Sequence, residues 1–363
     1  MAVAAVNDLL RHFWVGNSAS GHVLDTYNGY ARTGPDPRGI LWERATFVSV
    51  LTNLYLESHD PTIKQRMASD WRHLTGEMQP WELQTCGNGT QNVGQDDAGW
   101  SALMFLNYYR VLGDPRALTD AEGLLDHAYA RWHDDQMGGG LWYNDQRRFK
   151  STYETALVLA AVRIYEITKD HSYLDRALAV YDWAEAKLMR PDGLFWCEEW
   201  LSGPQTVGGI HEARSVSFLG GNMAMGVVAA RLWRDTGEKK YLKQALAVAC
   251  AIREHETDGK GHYLDDRDAY ADGYFMGDWA RDVLTLPGAL PADRELLIRT
   301  AGAIYKHDRT STGYFGGSWN GPADGAGSAW WRAGFRPQQI MVSANAVSVI
   351  VAASELDPRR PLK

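Results

Sequence analysis

An all-α (α/α)6 toroid is the fold this 363-residue sequence predicts: six helical hairpins in an inner and an outer ring, forming a single domain over residues 1–363. Three observations predict it. A helix–turn–helix pattern recurs along the chain. The segments around each recurrence carry apolar residues at helical spacing. No convincing series of strands interrupts them.

The recurrence is read as "LYLESHDPTIK" at 54–64, "YYRVLGDPRAL" at 108–118, "IYEITKDHSYL" at 164–174 and "LWRDTGEKKYL" at 232–242. Each copy has an apolar helix ending near an aromatic residue, a short polar turn and a second, amphipathic helix. Such a unit cannot bury its faces alone and must stack on its neighbours. Hairpins are expected to begin near Glu43, Gly99, Thr155, Gly221 and Asp278. The last apolar segment, "QQIMVSANAVSVIVAASEL", has no partner after it, and the N-terminal "MAVAAVNDLLRHFW" has none before it. Pairing these two closes the ring; an open solenoid would leave two apolar ends to cap.

In such a ring the first helix of each pair lines the inside, and the long loops before these helices gather on one face. Those loops hold the unusual residues, including "GPDPRGILWERA", "GNGTQNVGQDDAGW", "MGGGLWYNDQRRFKSTYE", "TVGGIHEARSVSFLGGN", "DRDAYADGYFMGDW" and "GPADGAGSAWWRAGFRPQQ". Function is expected on that face.

Composition narrows the function. A net charge of −8 is unsuited to a nucleic-acid partner. No run of 18 apolar residues exists, so no membrane span is expected. The N-terminus reads as an amphipathic helix, not a signal peptide, because Asp8 and Arg11 interrupt it. The chain as it stands fits the cytoplasm, and an exported form would need a leader that was removed. Cys86, Cys197 and Cys250 are odd in number and far apart, which fits buried free thiols. No paired metal-ligand spacing, nucleophile elbow, phosphate loop or dinucleotide fingerprint is present, so neither metal nor cofactor is expected. A monomer is expected. The 15 Trp and 17 Tyr suit sugar binding, where a ring face stacks on the sugar and a polar edge bonds hydroxyls.

The chemistry centres on Asp96-Asp97. A helix cap plus a first-turn acid is the plain explanation. Against it, neutral caps would avoid the repulsion, and the pair lies in a Gly-rich loop on the expected site face. Two adjacent carboxylates suit glycoside hydrolysis, because ionising one makes ionising the other costly and one keeps its proton. Adjacent residues reach the ~5–5.5 Å separation of retaining enzymes more easily than the wider inverting one. Asp134-Asp135 reads as a solvated turn, and Asp265-Asp266 as a loop. Glu198-Glu199 is a possible substrate contact. Glu43 and Glu154 are caps or pocket acids.

Taken together the motifs resemble glycoside hydrolase family 76, the α-1,6-mannanases, over about residues 40–350. The resemblance is carried by "QDDAGWSALMFLNYYRVLGDPRAL", "GGGLWYNDQRRFKSTYETALVLAAVRIYEITKDHSYLDRA" and "FLGGNMAMGVVAARLWRDTGEKKYLKQA". It implies retaining hydrolysis of α-1,6-linked mannose chains or oligosaccharides, with endo action expected. It also implies Asp96 as nucleophile and Asp97 as acid/base. Lys150 matches the family's lysine after the glycine loop, and Asn222 an asparagine opening a later inner helix. The pattern departs at Ser151 and Thr155, where the family often has Asn, and before Asn222, where "FLGGN" lacks the usual Tyr. Trp42, Trp142, Tyr143, Tyr153, Tyr274, Asp278, Trp279, Trp331, Gln338 and Gln339 are candidates for lining sugar subsites. Two other functions fit the same toroid. A sugar epimerase would need paired histidines, for which His211 and His262 are the plausible pair. A glycan-binding protein would keep the aromatics without turnover.

Overall fold

The four copies of the sequence repeat turn in the same way. His59, Gly113, Lys169 and Gly237 each take a left-handed conformation, with φ of 50°, 72°, 61° and 75°. Their amides donate to the carbonyls of Tyr55, Tyr109, Tyr165 and Trp233 at 2.7–2.8 Å. This closes each helix with the left-handed cap that ends many helices. In three copies a hydroxyl sits just before the cap. Ser58, Thr168 and Thr236 donate to the carbonyl four residues back at 2.8, 2.9 and 2.7 Å. Each then accepts the amide two residues ahead, at 3.1–3.2 Å. Asp170 caps the next helix through the amide of Ser172 at 2.9 Å.

A computed structural model describes residues 1–24, 41–77, 94–201, 218–264, 273–323 and 336–356, apart from the side chains at 41–43, 77 and 153. Among these residues there are twelve helical segments. They are α1 (Ala2–Phe13), α2 (Leu41–Ser58), α3 (Pro61–Glu77), α4 (Gln95–Leu112), α5 (Pro115–Trp132) and α6 (Thr155–Thr168). After these come α7 (His171–Leu188), α8 (Leu219–Thr236), α9 (Lys239–His255), α11 (Pro291–His307) and α12 (Ile340–Leu356). Between α9 and α11, α10 is an α turn, Met276–Asp278, that runs into a π turn, Trp279–Val283. No helix among the described residues is long and apolar enough to cross a membrane.

Burial sorts the helices into the two expected kinds. Every residue from Thr155 to Tyr165 in α6 is buried, as is every one from Leu219 to Leu232 in α8 and from Ile340 to Ala353 in α12. A helix apolar all round must be covered on all sides. In contrast α5 buries one stripe, with Ala117, Ala121, Leu124, Ala128 and Trp132 at helical spacing.

The chain forms two compact units: Met1–Gln79, Asn107–Asp114 and Arg253–Lys363, and Pro80–Leu106 with Pro115–Ile252. In the first, α1, α2, α10 and α11 pack on α12, so the N-terminal helix does partner the last one. A buried Asp70 in α3 ties this unit together. It accepts from Arg44 of α2 at 2.5 Å, from the Tyr108 hydroxyl and from the Val23 amide at 2.7 Å. In the second unit α6 packs on α5, α7 and α8.

One feature was not expected. Short antiparallel hairpins follow α1, α5, α7, α9 and α11. Strands β1 (Trp14–Val15) and β2 (His22–Val23) pair, and single bridges join His133 to Leu141, Met189 to Phe195, Thr257 to Tyr263 and Arg309 to Phe315. Strand β3 (Phe149–Ser151) pairs with β4 (Glu198–Trp200), with Phe149 opposite Trp200. These strands are two or three residues long, too short to show an alternating pattern. Each bridged hairpin is pinned by a side chain. The amides of Leu141, Phe195, Tyr263 and Phe315 donate to Glu154 Oε2, Asn222 Oδ1, Thr300 Oγ1 and Ser343 Oγ at 2.9–3.0 Å.

Candidate active site

Helix α4 opens on the aspartate pair, and its first turn separates the two acids. The Gly94 amide donates to Asp97 Oδ2 at 3.0 Å. Gly94 stands at the N-cap position and Asp97 three residues on, which is the reciprocal half of a capping box. Asp97 therefore meets a need of the helix. Asp96 does not: its Oδ1 is buried with no hydrogen-bond partner. A buried carboxylate oxygen without a partner is costly, so it calls for a reason other than the helix.

The electrostatics agree. Burial raises both carboxyls, and the Asp97 charge raises Asp96 further, well above the carboxylate range. Asp97 is lifted to about 6 by burial, with the Gly94 amide pulling the other way. The pair thus keeps a proton towards neutral pH.

Tyr143 closes one side. Its carbonyl accepts from the Gln95 amide at 2.8 Å. Its half-buried ring stacks on Phe149, with centroids 4.8 Å apart and planes 16° apart, and Phe149 lies 4.6 Å from Trp200. The cross-strand register of β3 and β4 makes the second contact. Gly94 is wedged between these groups. A methyl carbon built on it would lie 2.8 Å from Tyr143 Cε2 and Cζ and closer still to Asp96 Oδ1.

The glycine loop is built around Lys150. Gly138, Gly139 and Gly140 have φ of 85°, 118° and 73°, values that side chains rarely adopt. The fully buried Lys150 ammonium donates to the carbonyls of Gln136 at 2.7 Å and Gly139 at 2.6 Å, and to Asp134 Oδ1 at 3.2 Å. It lies 4.7 Å over the Trp142 ring. Trp142, also buried, donates to Asp134 Oδ2 at 2.6 Å. Lys150 and Trp142 thus hold the loop's shape, and their polar atoms are committed to it. Asp134, expected as a solvated turn, is instead the anchor of this loop and also binds Arg147 at 3.1 Å. Asn222 is fully buried in α8, with its Oδ1 taken by the Phe195 amide at 2.9 Å. Glu154 is the pin of the Leu141 hairpin.

The model of glycosyl hydrolase family 76 matches residues 1–334. The chain belongs to glycosyl hydrolase family 76. No curated protein matches it in a sequence search. Among solved structures it is similar to the family 76 α-1,6-mannanase GH76A of Salegentibacter sp. HEL1_6, at 21% identity and TM-score 0.75, covering 98% of each chain. An inactive variant of that enzyme, with two consecutive aspartates replaced by asparagine, was solved with α-1,6-mannotriose; it matches at 20% identity and TM-score 0.76 over 98% of each chain. The family 76 mannosidase Bt3792 of Bacteroides thetaiotaomicron VPI-5482 matches at 15% identity and TM-score 0.75, again over 98% of each chain. These likenesses give the fold of family 76, the all-α (α/α)6 class that the repeat predicts.

Tyr274, Asp278, Trp279, Gln338 and Gln339 belong to the other unit. Tyr274 and Trp279 are buried. Asp278 is buried and accepts from Arg281 at 3.2 Å. Gln339 is buried and accepts from the Arg336 amide at 2.9 Å, whereas Gln338 is exposed. His262 bonds Asp258 at 3.1 Å through Nδ1. The side chains of Trp42, Glu43 and Tyr153, and all of Trp331, His211, Cys86 and Asp265-Asp266, lie outside the described residues. The sequence reading missed Gly94, Phe149 and Trp200. Phe149 and Trp200 are next to Lys150 and Glu199, which it named, but nothing local shows that they face one another.

Proposed function

We propose that this family 76 chain is a retaining α-1,6-mannanase acting on mannan or mannooligosaccharides, with Asp96 and Asp97 as its reacting pair. One observation carries the reading: of two adjacent acids at a helix start, one caps the helix and the other keeps a buried oxygen, Oδ1, without a hydrogen-bond partner. The fold shared with an enzyme solved as an asparagine variant with α-1,6-mannotriose supports the choice of substrate.

In the proposed reaction Asp97 gives its proton to the glycosidic oxygen while Asp96 attacks the anomeric carbon, forming a glycosyl-enzyme. Asp97 then takes a proton from water, which attacks the same carbon and releases the sugar with its configuration retained. A value near 6 suits a group that must act as acid and then as base near neutrality. Catalysis needs Asp96 ionised and Asp97 neutral. Positive charge developing at the anomeric carbon stabilises the Asp96 anion and favours the required arrangement. The whole chain, acting as one domain and as a monomer, is the proposed catalytic unit.

The test is hydrolysis of α-1,6-mannooligosaccharides, with proton NMR of the first-formed anomer. The expected result is α-configured product, lost in Asp96→Asn and Asp97→Asn. No turnover, a β product, or activity surviving in both variants would sink the reading. Azide separates the roles. With an aryl α-1,6-mannobioside, the nucleophile's alanine variant gives the β-azide, and the acid/base's alanine variant gives the α-azide. On α-1,6-mannan, early release of mixed long products is expected for endo action; mannose released alone from the ends opposes it.

A further inference from the structure

Asp96 Oδ1 and the phenol end of Tyr143 approach Gly94 from its open side. Both lie within 2.8 Å of the point where a methyl carbon on Gly94 would stand. The carboxylate oxygen is buried and has no hydrogen-bond partner. The phenol is held in place from two directions. Its backbone carbonyl is tied to the first residue of α4, and its ring is stacked on Phe149, which lies against Trp200. Trp200 is in turn fixed by its own Nε1, which donates to Glu198 Oε2 at 2.8 Å. A row of three rings, two of them on the paired strands β3 and β4, is a large investment for one side chain.

We propose that Tyr143 is a positioning residue for Asp96, its hydroxyl donating to Asp96 Oδ1 when that carboxyl ionises. The role rests on the reading of Asp96-Asp97 as the reacting pair. While Asp96 holds its proton, Oδ1 needs no strong donor. Once ionised, this buried oxygen needs one, and the phenol shares the open side of Gly94 with it. The titratable groups that face the phenol are Asp96 and Asp97 on α4, and Cys197 and Glu198 from the β4 segment. All are acids, and they hold the phenol above its ordinary range, so it stays a donor across the working pH range.

Tyr143→Phe removes only the hydroxyl and keeps the stack. A hydrogen bond to the anion lowers the carboxyl's pKa, so its loss raises that pKa. The acidic limb of kcat/KM should move up by about one pH unit, and kcat at the optimum should fall about tenfold, with KM little changed. A rise in KM with the limb in place would make Tyr143 a sugar contact and overturn the proposal. Carbon-13 titration of the Asp96 carboxyl in wild type and Tyr143→Phe reads the same contact without turnover, so it answers even if the chain fails to cleave mannosides. An upward shift in the variant supports the role; superimposable titrations refute it. Near-ultraviolet circular dichroism confirms that the variant keeps its fold.

Discussion

Gly94→Ala should damage the site far more than the fold. The added methyl would meet Tyr143 Cε2 and Cζ at 2.8 Å and Asp96 Oδ1 closer still. Carbon atoms prefer ~3.5–4.0 Å, so one neighbour must retreat by about 1 Å. The ring cannot retreat alone, because it is stacked on Phe149. The Asp96 carboxyl is the freer of the two and should swing aside. Gly94 does not have a left-handed φ, so the effect comes from the methyl and not from backbone strain. A displacement of about 1 Å at a reacting group costs roughly 10²-fold in rate. The cost to stability is that of a crowded position, ~1–3 kcal/mol, or several degrees in Tm. Steady-state kinetics on an α-1,6-mannooligosaccharide and calorimetry would be run together. The expected outcome is kcat/KM down about 100-fold with a modest loss in Tm. If kcat/KM stays within about threefold of wild type, the clearance at Gly94 does not set the geometry of the pair.

Three further outcomes follow from the same geometry. Asp97→Asn should stabilise the fold at pH 7 and not at pH 3. The folded carboxyl titrates near 6 and the unfolded one near 4, so wild type loses stability as pH rises between them. That loss is on the order of 2–3 kcal/mol, readable in urea unfolding at the two pH values; equal effects at both would contradict it. Lys150→Met should lower Tm by several degrees, on the order of 3 kcal/mol or more. It should also expose 134–140 to proteolysis, whereas a change confined to KM would make Lys150 a sugar contact. Asn222→Leu leaves the Phe195 amide unpaired and should cost about 1–3 kcal/mol with KM unchanged; an increase in KM at wild-type Tm would reverse that assignment.

The helices were legible because two signals coincide in each repeat. Helical spacing marks the elements, and an aromatic four residues before a left-handed position marks the turn between them. Tyr55, Tyr109, Tyr165 and Trp233 all supply the carbonyl that closes the preceding helix. The hairpins were not legible. Their strands are held by single bridges and by distant polar groups such as Asn222 and Ser343, which look like ordinary helix residues in sequence. The same blindness affected the site. Asn222 and Lys150 stand in the motif that carries the family resemblance, which suggests contact with substrate, yet each is spent on a loop. A motif records that a residue type is required, not which atoms it touches.

The aspartate pair shows what a structure adds to such a motif. Both acids fit a helix start, and charge alone cannot say which one the helix needs. The Gly94 amide decides: it selects Asp97 and leaves Asp96 with a buried, unpartnered Oδ1 near the ring of Tyr143. Capping and catalysis are therefore not competing explanations of the two residues. The cap bond holds Asp97 at a fixed angle and draws its pKa down from where burial alone would put it. A helix end thus gives adjacent, chemically identical side chains the unequal environments that an acid and a nucleophile require.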